Sequence, residues 1–367
     1  MSPESRPQPA ALQPLIAIAA LVVVIAGIKA AETLAVPLLL AAFIAIIVAT
    51  PMTWLQNRGV PTPIALLVML LILLIGGAAV ALVIANTVAE FTTALPAYEA
   101  RLRSLLDRLL PLLEQLGFDI DRATLTAYFD PAMGMDVVRQ VMGALGNVLS
   151  STLLISLTVF FILLEAKTLP AKLARVVARP EESLPRFRYF VSTMNRYMII
   201  KTALSVVTGI LAGLLTAAVG LDFPFLWALS AFALNFIPNI GSIIAAIFPT
   251  LLAAAQFGLA EALIIAAGYL AINFTIGNLL EPRIMGRGMG LSTLVVWTSL
   301  VFWGWLLGPV GMLLSVPLTT TLKIALESRR DTTWIAILLG PAVEADLIAE
   351  AGPDGEHNES PPGSETS

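Results

Sequence analysis

The stretch FPFLWALSAFALNFIPNIGSIIAAIFPTLLAAAQFG, residues 223–258, decides the fold. It is apolar from end to end except near its centre, where Pro238, Asn239 and Gly241 stand together. About 15 apolar residues lie on either side of that break, fewer than the roughly 20 a transmembrane helix needs. Two short arms suit a helical hairpin that enters a membrane and returns to the side it came from. A second stretch, LSTLVVWTSLVFWGWLLGPVGMLLSVPLTTTLKIALE, residues 291–327, is interrupted in the same way at Gly308, Pro309 and Gly311. The sequences trailing the two breaks, PNIGSIIAAIFPT and GPVGMLLSVPLTT, are similar. The competing reading is that Pro and Gly only kink ordinary spans.

The composition around these stretches requires lipid. Hydrophobic residues make up 58% of the 367 and charged residues 13%, against about 45–50% and about 25% in a soluble domain. Lys plus Arg is 21 and Asp plus Glu is 25, a net charge of -4, so no basic excess points to nucleic acid. Cysteine is absent and the only histidine is His357, in the polar tail. Thiolate chemistry, iron–sulfur clusters and histidine or cysteine metal sites are excluded, and no cofactor or metal is expected.

Six further runs are long enough to span: 14–31, 34–55, 63–88, 142–164, 199–219 and 259–280. The first is read as a retained helix and not a cleaved signal, because Arg6 is the only cation before it and an apolar run soon resumes. Cations set the orientation. Residues 167–201 hold Lys167, Lys172, Arg175, Arg179, Arg186, Arg188, Arg196 and Lys201 and are read as cytoplasmic. Residues 90–140 hold more acids than arginines and face outward, which puts the amino terminus inside. If both broken stretches return to the side they entered, Arg283, Arg287, Lys323, Arg329 and Arg330 are all cytoplasmic. If both cross completely, the count is eight spans and Arg283 and Arg287 fall outside.

The sequence therefore predicts an all-α, polytopic integral membrane protein with about six full spans and two oppositely oriented re-entrant hairpins. Residues 1–13 form a cytoplasmic amino terminus, 14–88 the first three spans, and 89–140 an extracytoplasmic amphipathic segment. Within that segment Leu95, Tyr98, Leu102, Leu105, Leu109, Leu112 and Leu116 recur at helical spacing, with a bend or restart at Pro111. Residues 141–327 form the permease core, with hairpins near 223–250 and 291–326. Near 167–198, prolines and dense cations predict short cytoplasmic interfacial helices that anchor on lipid headgroups. Residues 328–367 form a cytoplasmic tail, disordered after about 351.

Chemistry is expected at the breaks. A broken helix leaves carbonyls and amides without partners, which a membrane tolerates only where protein, water or solute satisfies them. Paired interruptions in oppositely oriented elements mark a transporter's binding site. A helix start after Gly241 or Gly311 favours an anion or polar oxygen, and the carbonyl end before Pro238 or Gly308 favours a cation or hydroxyl donor. Asn235, Asn239 and Ser242 surround the first break, and Asn273, Thr275 and Asn278 lie in the span between the hairpins. Amides and hydroxyls both donate and accept, which suits hydroxylated solutes, although each can instead bond a neighbouring helix. The candidate solute-binding set is Asn235, Pro238, Asn239, Gly241, Ser242, Asn273, Thr275, Asn278, Gly308, Pro309 and Gly311. Glu281 and Glu261 are candidates for coupling to a proton or sodium ion, with a loop-level salt bridge to the nearby arginines as the alternative for Glu281. Gly286, Gly288 and Gly290 follow no strand and have no acidic partner at nucleotide-site spacing, so they are read as a flexible joint. No phosphate-binding loop with its lysine occurs, which argues against an ATP-driven pump.

The ordered set ALNFIPNIGSIIAAIFPTLLA, YLAINFTIGNLLEPRIMGRGMGLS and FWGWLLGPVGMLLSVPLTTTLK, with NRYMIIKTALSVVTGILAGLL before it, resembles the autoinducer-2 exporter (AI-2E) family of permeases. The resemblance covers about residues 37–327. One departure is Thr293, where relatives often carry proline. The resemblance implies a bacterial inner-membrane protein, homo-oligomeric, exporting the furanosyl signal autoinducer-2 in its best-known members and exchanging sodium or protons in others. Its partners are membrane lipids, a small polar solute and a coupling ion. Besides export by a secondary transporter, the residues leave open a monovalent-cation antiporter and a non-transporting membrane scaffold. A membrane enzyme is disfavoured, since the spans hold no clustered catalytic groups.

Overall fold

The computed structural model describes residues 12–115, 151–166, 168–176, 180–238, 240–285, 290–327 and 332–341. Expectations for residues 1–11, 116–150, 286–289 and the tail from 342, and for Asn239, fall outside these. All regular structure among the described residues is helical. The elements are α1 (Leu12–Ala30), α2 (Glu32–Asn57), α3 (Thr62–Gln115), α4 (Thr152–Ala166), α5 (Leu169–Val176), α6 (Pro180–Val219), α7 (Pro224–Leu234), α8 (Ile240–Gln256), α9 (Leu259–Asn273), α10 (Glu281–Met285), α11 (Thr293–Leu313), α12 (Ser315–Glu327) and α13 (Thr333–Leu339). Between α9 and α10 the chain stays helical but widens into a π-helix, Phe274–Leu280.

Four helical stretches are long and apolar enough to cross a bilayer unbroken: Glu32–Asn57, Thr62–Phe91, Val191–Val219 and Leu259–Met285. A fifth, Thr293–Leu313, also meets that length, but Gly308 within it has φ 64° and ψ -155°, so the chain turns there. Large side chains such as Val23, Leu34, Ile75, Leu82 and Leu270 face outward, the inverse of a soluble protein and what a hydrocarbon solvent permits.

Both broken stretches fold back as helical hairpins. α7 and α8 form the first hairpin, and its two ends meet where Gln256 Oε1 accepts the Asp222 amide at 3.2 Å. α11 and α12 form the second. Its ends meet where Lys323 Nζ donates to the Gly290 carbonyl at 2.6 Å and the Ser292 amide bonds the Leu339 carbonyl. α9, continued through α10, joins one base to the other, so the hairpins open toward opposite ends of the molecule.

Two expected boundaries are corrected. The amphipathic helix of 95–116 is not a separate element, because α3 runs through it, Pro96 and Pro111 included, for 54 residues. No glycine or cap lies between the apolar span and the amphipathic repeat, so helical periodicity passes from one to the other unchecked. The interfacial region 167–198 contains one short helix, α5, while residues from Pro180 onward are the first turns of the long α6. Proline is tolerated at a helix's first position, and Pro180 sits there.

Three apolar clusters hold the helices. Ala41, Ala45, Val48, Ala65, Ile155 and Val159 join α2, α3 and α4. Phe43, Met198, Val310 and Leu314 join α2, α6 and the second hairpin. The largest cluster surrounds the first hairpin with Trp227, Ala231, Leu252, Ile265 and Tyr269, and reaches Phe91 and Tyr98 of α3. α6 and α7 approach closely because Gly209 and Gly213 lie against Ala228. A side chain at Gly209 would begin 2.7 Å from the Ala228 carbonyl oxygen, the small-residue packing typical of membrane helices.

Candidate functional site

The first hairpin's tip is wedged between two full-length helices. Pro238 has no N–H for the Leu234 carbonyl four residues before it, so the helix must end there. The Ile237 amide bonds that carbonyl instead, at 2.9 Å. Gly241 then passes so close that any side chain would overlap the Leu234 carbonyl oxygen. The requirement for glycine at 241 is therefore steric. On one side of the tip Asn235 Nδ2 donates to Ser205 Oγ of α6 at 3.0 Å. On the other Asn273 Nδ2 of α9 donates to the Ser242 carbonyl at 3.3 Å.

One turn below Ser205 on the same face of α6 lies Lys201. Its ammonium bonds both carboxylate oxygens of Glu281, at 2.7 and 2.9 Å. The side chains are only 6% and 22% exposed. Depth follows from register: Thr50 of α2 bonds Asn195, and Phe43 packs with Met198. Lys201 is therefore level with the middle of α2, roughly 20 Å from that helix's end at Asn57. A charge so little exposed is costly without a partner, so each group favours the other. Glu281 pairs with Lys201 rather than with the nearby Arg283, and Arg287 lies outside the described residues. Arg283 is exposed while Glu281 turns inward, since residues two apart on a helix face nearly opposite ways.

Lys201, Ser205, Thr208 and Thr216 form a buried polar stripe on α6. Thr208 and Thr216 return their hydroxyl protons to the carbonyls of Leu204 and Ala212, leaving Lys201 and Ser205 as the members that bond other helices. The sequence reading counted Lys201 among loop cations and did not single out Ser205. The spacing of 201, 205, 208 and 216 on one helix face was the signal available.

Of the candidate residues, the structure gathers Asn235, Pro238, Gly241, Ser242, Asn273 and Glu281 around the first tip. Thr275 and Asn278 are exposed on the π-helix and are not part of this cluster. Glu261 lies in the first turn of α9, at the far end of that helix from Glu281. Asn239 is outside the described residues. Gly308, Pro309 and Gly311 belong to the second tip, which has other partners. Lys29 Nζ donates to the Trp305 carbonyl at 2.9 Å and to Glu32 at 2.6 Å. A side chain at Gly311 would overlap the Trp303 carbonyl oxygen, so this tip too is steric in its need for glycine. No group of three or more metal-ligating side chains occurs among the described residues.

At the base of the first hairpin, Tyr98 of α3 donates to Asp222 Oδ2 at 2.6 Å, and Gln256 bonds both. Trp227 Nε1 donates to the Asp222 carbonyl at 2.8 Å. Burial, reinforced by the hydrogen bond to Asp222, raises the Tyr98 phenol above its ordinary pKa.

Apolar helices long enough to cross a membrane, with two broken helical hairpins among them, define a polytopic helical membrane protein. The chain belongs to the AI-2E transporter family, whose model matches residues 18–331. It is 43% identical over 328 residues to the AI-2 transport protein TqsA of Escherichia coli K12, covering 89% of this chain and 95% of that protein. It is 37% identical over 336 residues to the putative transport protein YhhT of the same organism, covering 92% and 96%. A putative transport protein of Haemophilus influenzae is 41% identical over 333 residues, covering 89% and 95%.

Proposed function

We propose that this chain is a secondary transporter exporting a small hydroxylated solute across the cytoplasmic membrane, with autoinducer-2 the first candidate. The observation that carries this reading is the first hairpin's tip, held between Ser205 and Asn273 one turn from the Lys201–Glu281 pair. Carboxamides and hydroxyls there can exchange their mutual hydrogen bonds for bonds to a solute's hydroxyl groups. The name of the TqsA relative supports the solute. The cationic segment around α5 supports a cytoplasmic position for that end, with both termini inside. Exposed Thr275 and Asn278 on a spanning helix support a homo-oligomer in which a second copy covers them. The test is efflux of labelled autoinducer-2 and related hydroxylated solutes from loaded vesicles holding the full chain. Export by the wild type that Asn273→Ala reduces about tenfold at equal expression supports the reading; no flux of any such solute refutes it.

A second reading, proton- or sodium-coupled cation exchange, is favoured by the buried Glu281 carboxylate. It requires flux that depends on sodium or on a pH gradient and is lost in Glu281→Gln. Insensitivity to both gradients rejects it.

A further inference from the structure

The second hairpin turns at a proline, and its backbone carries the consequence. In an unbroken helix the Trp305 carbonyl would accept the N–H four residues on, at position 309. That residue is Pro309, which has none. Lys29, at the end of α1 and 276 residues away in sequence, supplies the missing donor at 2.9 Å. Its ammonium also holds Glu32 at 2.6 Å. Glu32 Oε1 in turn lies 3.2 Å from where a side chain at Gly308 would begin, beside the start of the second arm. A cation thus meets the carbonyl end and a carboxylate the amide end, the arrangement helix dipoles favour. At the first hairpin the Ile237 amide bonds the corresponding carbonyl, that of Leu234.

α1 has few other attachments. Its contacts are with α2 and α11, and Leu15, Leu21, Val22 and Val23 are each more than half exposed. The Lys29–Glu32 corner is the polar tie between this helix and the hairpin.

We propose that Lys29 and Glu32 form a latch fixing the second hairpin's tip to the α1–α2 corner, with Lys29 a positioning residue whose release frees the tip to move. The polar groups of this tip are held by the protein's own ion pair, so the tip acts as a gate and the solute binds at the first hairpin. Only the gating of solute rests on the transport reading; the latch itself does not.

The natural chain has no cysteine, so single cysteines report positions cleanly. Leu307→Cys, at a side chain 2% exposed beside the tip, reports the latch; Val159→Cys, 1% exposed in the α2–α3–α4 cluster, reports the rest of the fold. In the full chain in vesicles, Lys29→Met is expected to speed maleimide labelling at position 307 by about tenfold or more, the scale of one charge-assisted hydrogen bond. Lys29→Arg restores protection, and labelling at position 159 is unchanged throughout. Unchanged labelling at 307, or an equal rise at 159, overturns the latch. A protein that shows this labelling pattern but moves no solute refutes the transport reading and leaves the latch intact.

Discussion

Lys201 and Glu281, eighty positions apart, close a two-pronged ion pair with Nζ 2.7 and 2.9 Å from the two carboxylate oxygens. The pair ties α6 to the end of the helix that links the hairpins, with the lysine side chain only 6% exposed. Removing one partner leaves the other charge buried, at a cost of about 3–5 kcal/mol. Lys201→Met and Glu281→Gln are each expected to lower the thermal midpoint of the solubilised protein markedly, whereas the double variant recovers much of the loss. Flux stays low in all three. A double variant with full flux would reduce the pair to a structural tie.

The hydrogen bonds flanking the first tip separate binding residues from bystanders. Asn235→Ala and Asn273→Ala should each reduce solute flux by roughly tenfold, the scale of one hydrogen bond. Thr275→Ala and Asn278→Ala, on the exposed side of the same spanning helix, should leave the flux of each subunit near wild type. Equal losses in both sets would remove the first tip as the site.

Gly241 and Gly311 stand where a methyl group would overlap a carbonyl oxygen. Alanine at either position is expected to destabilise the protein by about 1–3 kcal/mol, as overpacking does. Gly277, in the π-helix, has open space where its Cβ would stand, and alanine there should stabilise by up to about 1 kcal/mol through helix propensity. Thermal denaturation of the three variants checks the order. A Gly277→Ala protein that is stable but slow would mark the π-helix as a moving part.

The Tyr98–Asp222 contact has a definite pH sign. Burial and the Asp222 carboxylate raise the phenol above its ordinary pKa, so it stays protonated further into alkali. A group raised in this way contributes stability that is complete below its unfolded value and is lost as pH climbs through the folded one. The base of the first hairpin should therefore be insensitive to pH near neutrality and loosen only in alkali beyond about pH 10. Fluorescence of Trp227, whose indole bonds the Asp222 carbonyl, reports the change. Tyr98→Phe should remove this phase, and an alkaline transition that persists in that variant would assign it to another group.

The helical architecture and both hairpins were readable from where Pro238, Gly241, Gly308 and Pro309 interrupt apolar runs, since the backbone consequences of those residues are local. The reading that each hairpin returns to its own side rests on the cations at Arg283 and Lys323. The partners were not readable. Lys201 stands in a cluster of loop cations, and only the pairing of α6 with α9 and its continuation brings it to Glu281. Asn235 and Asn273 had equal claims as binding groups and as interhelical ties, and in the structure each bonds a neighbouring helix. Lys29 gave no local sign of its role, because the carbonyl it serves is orphaned by a proline near the other end of the chain. The length of α3 was missed because amphipathic and fully apolar repeats share one helical period, and the change of face composition at residue 88 marks a change of solvent.

That unbroken helix has a mechanical implication. Tyr98 stands roughly 54 Å along α3 from Thr62, and its hydroxyl is fastened to Asp222 and Gln256 at the mouth of the first hairpin. A tilt of about 3° at the Thr62 end would carry Tyr98 sideways by about 3 Å, the scale of a full hydrogen-bond exchange. α3 is thus a lever arm: small displacements of the α2–α4 cluster around one end of the helix arrive, magnified, at the base of the first hairpin.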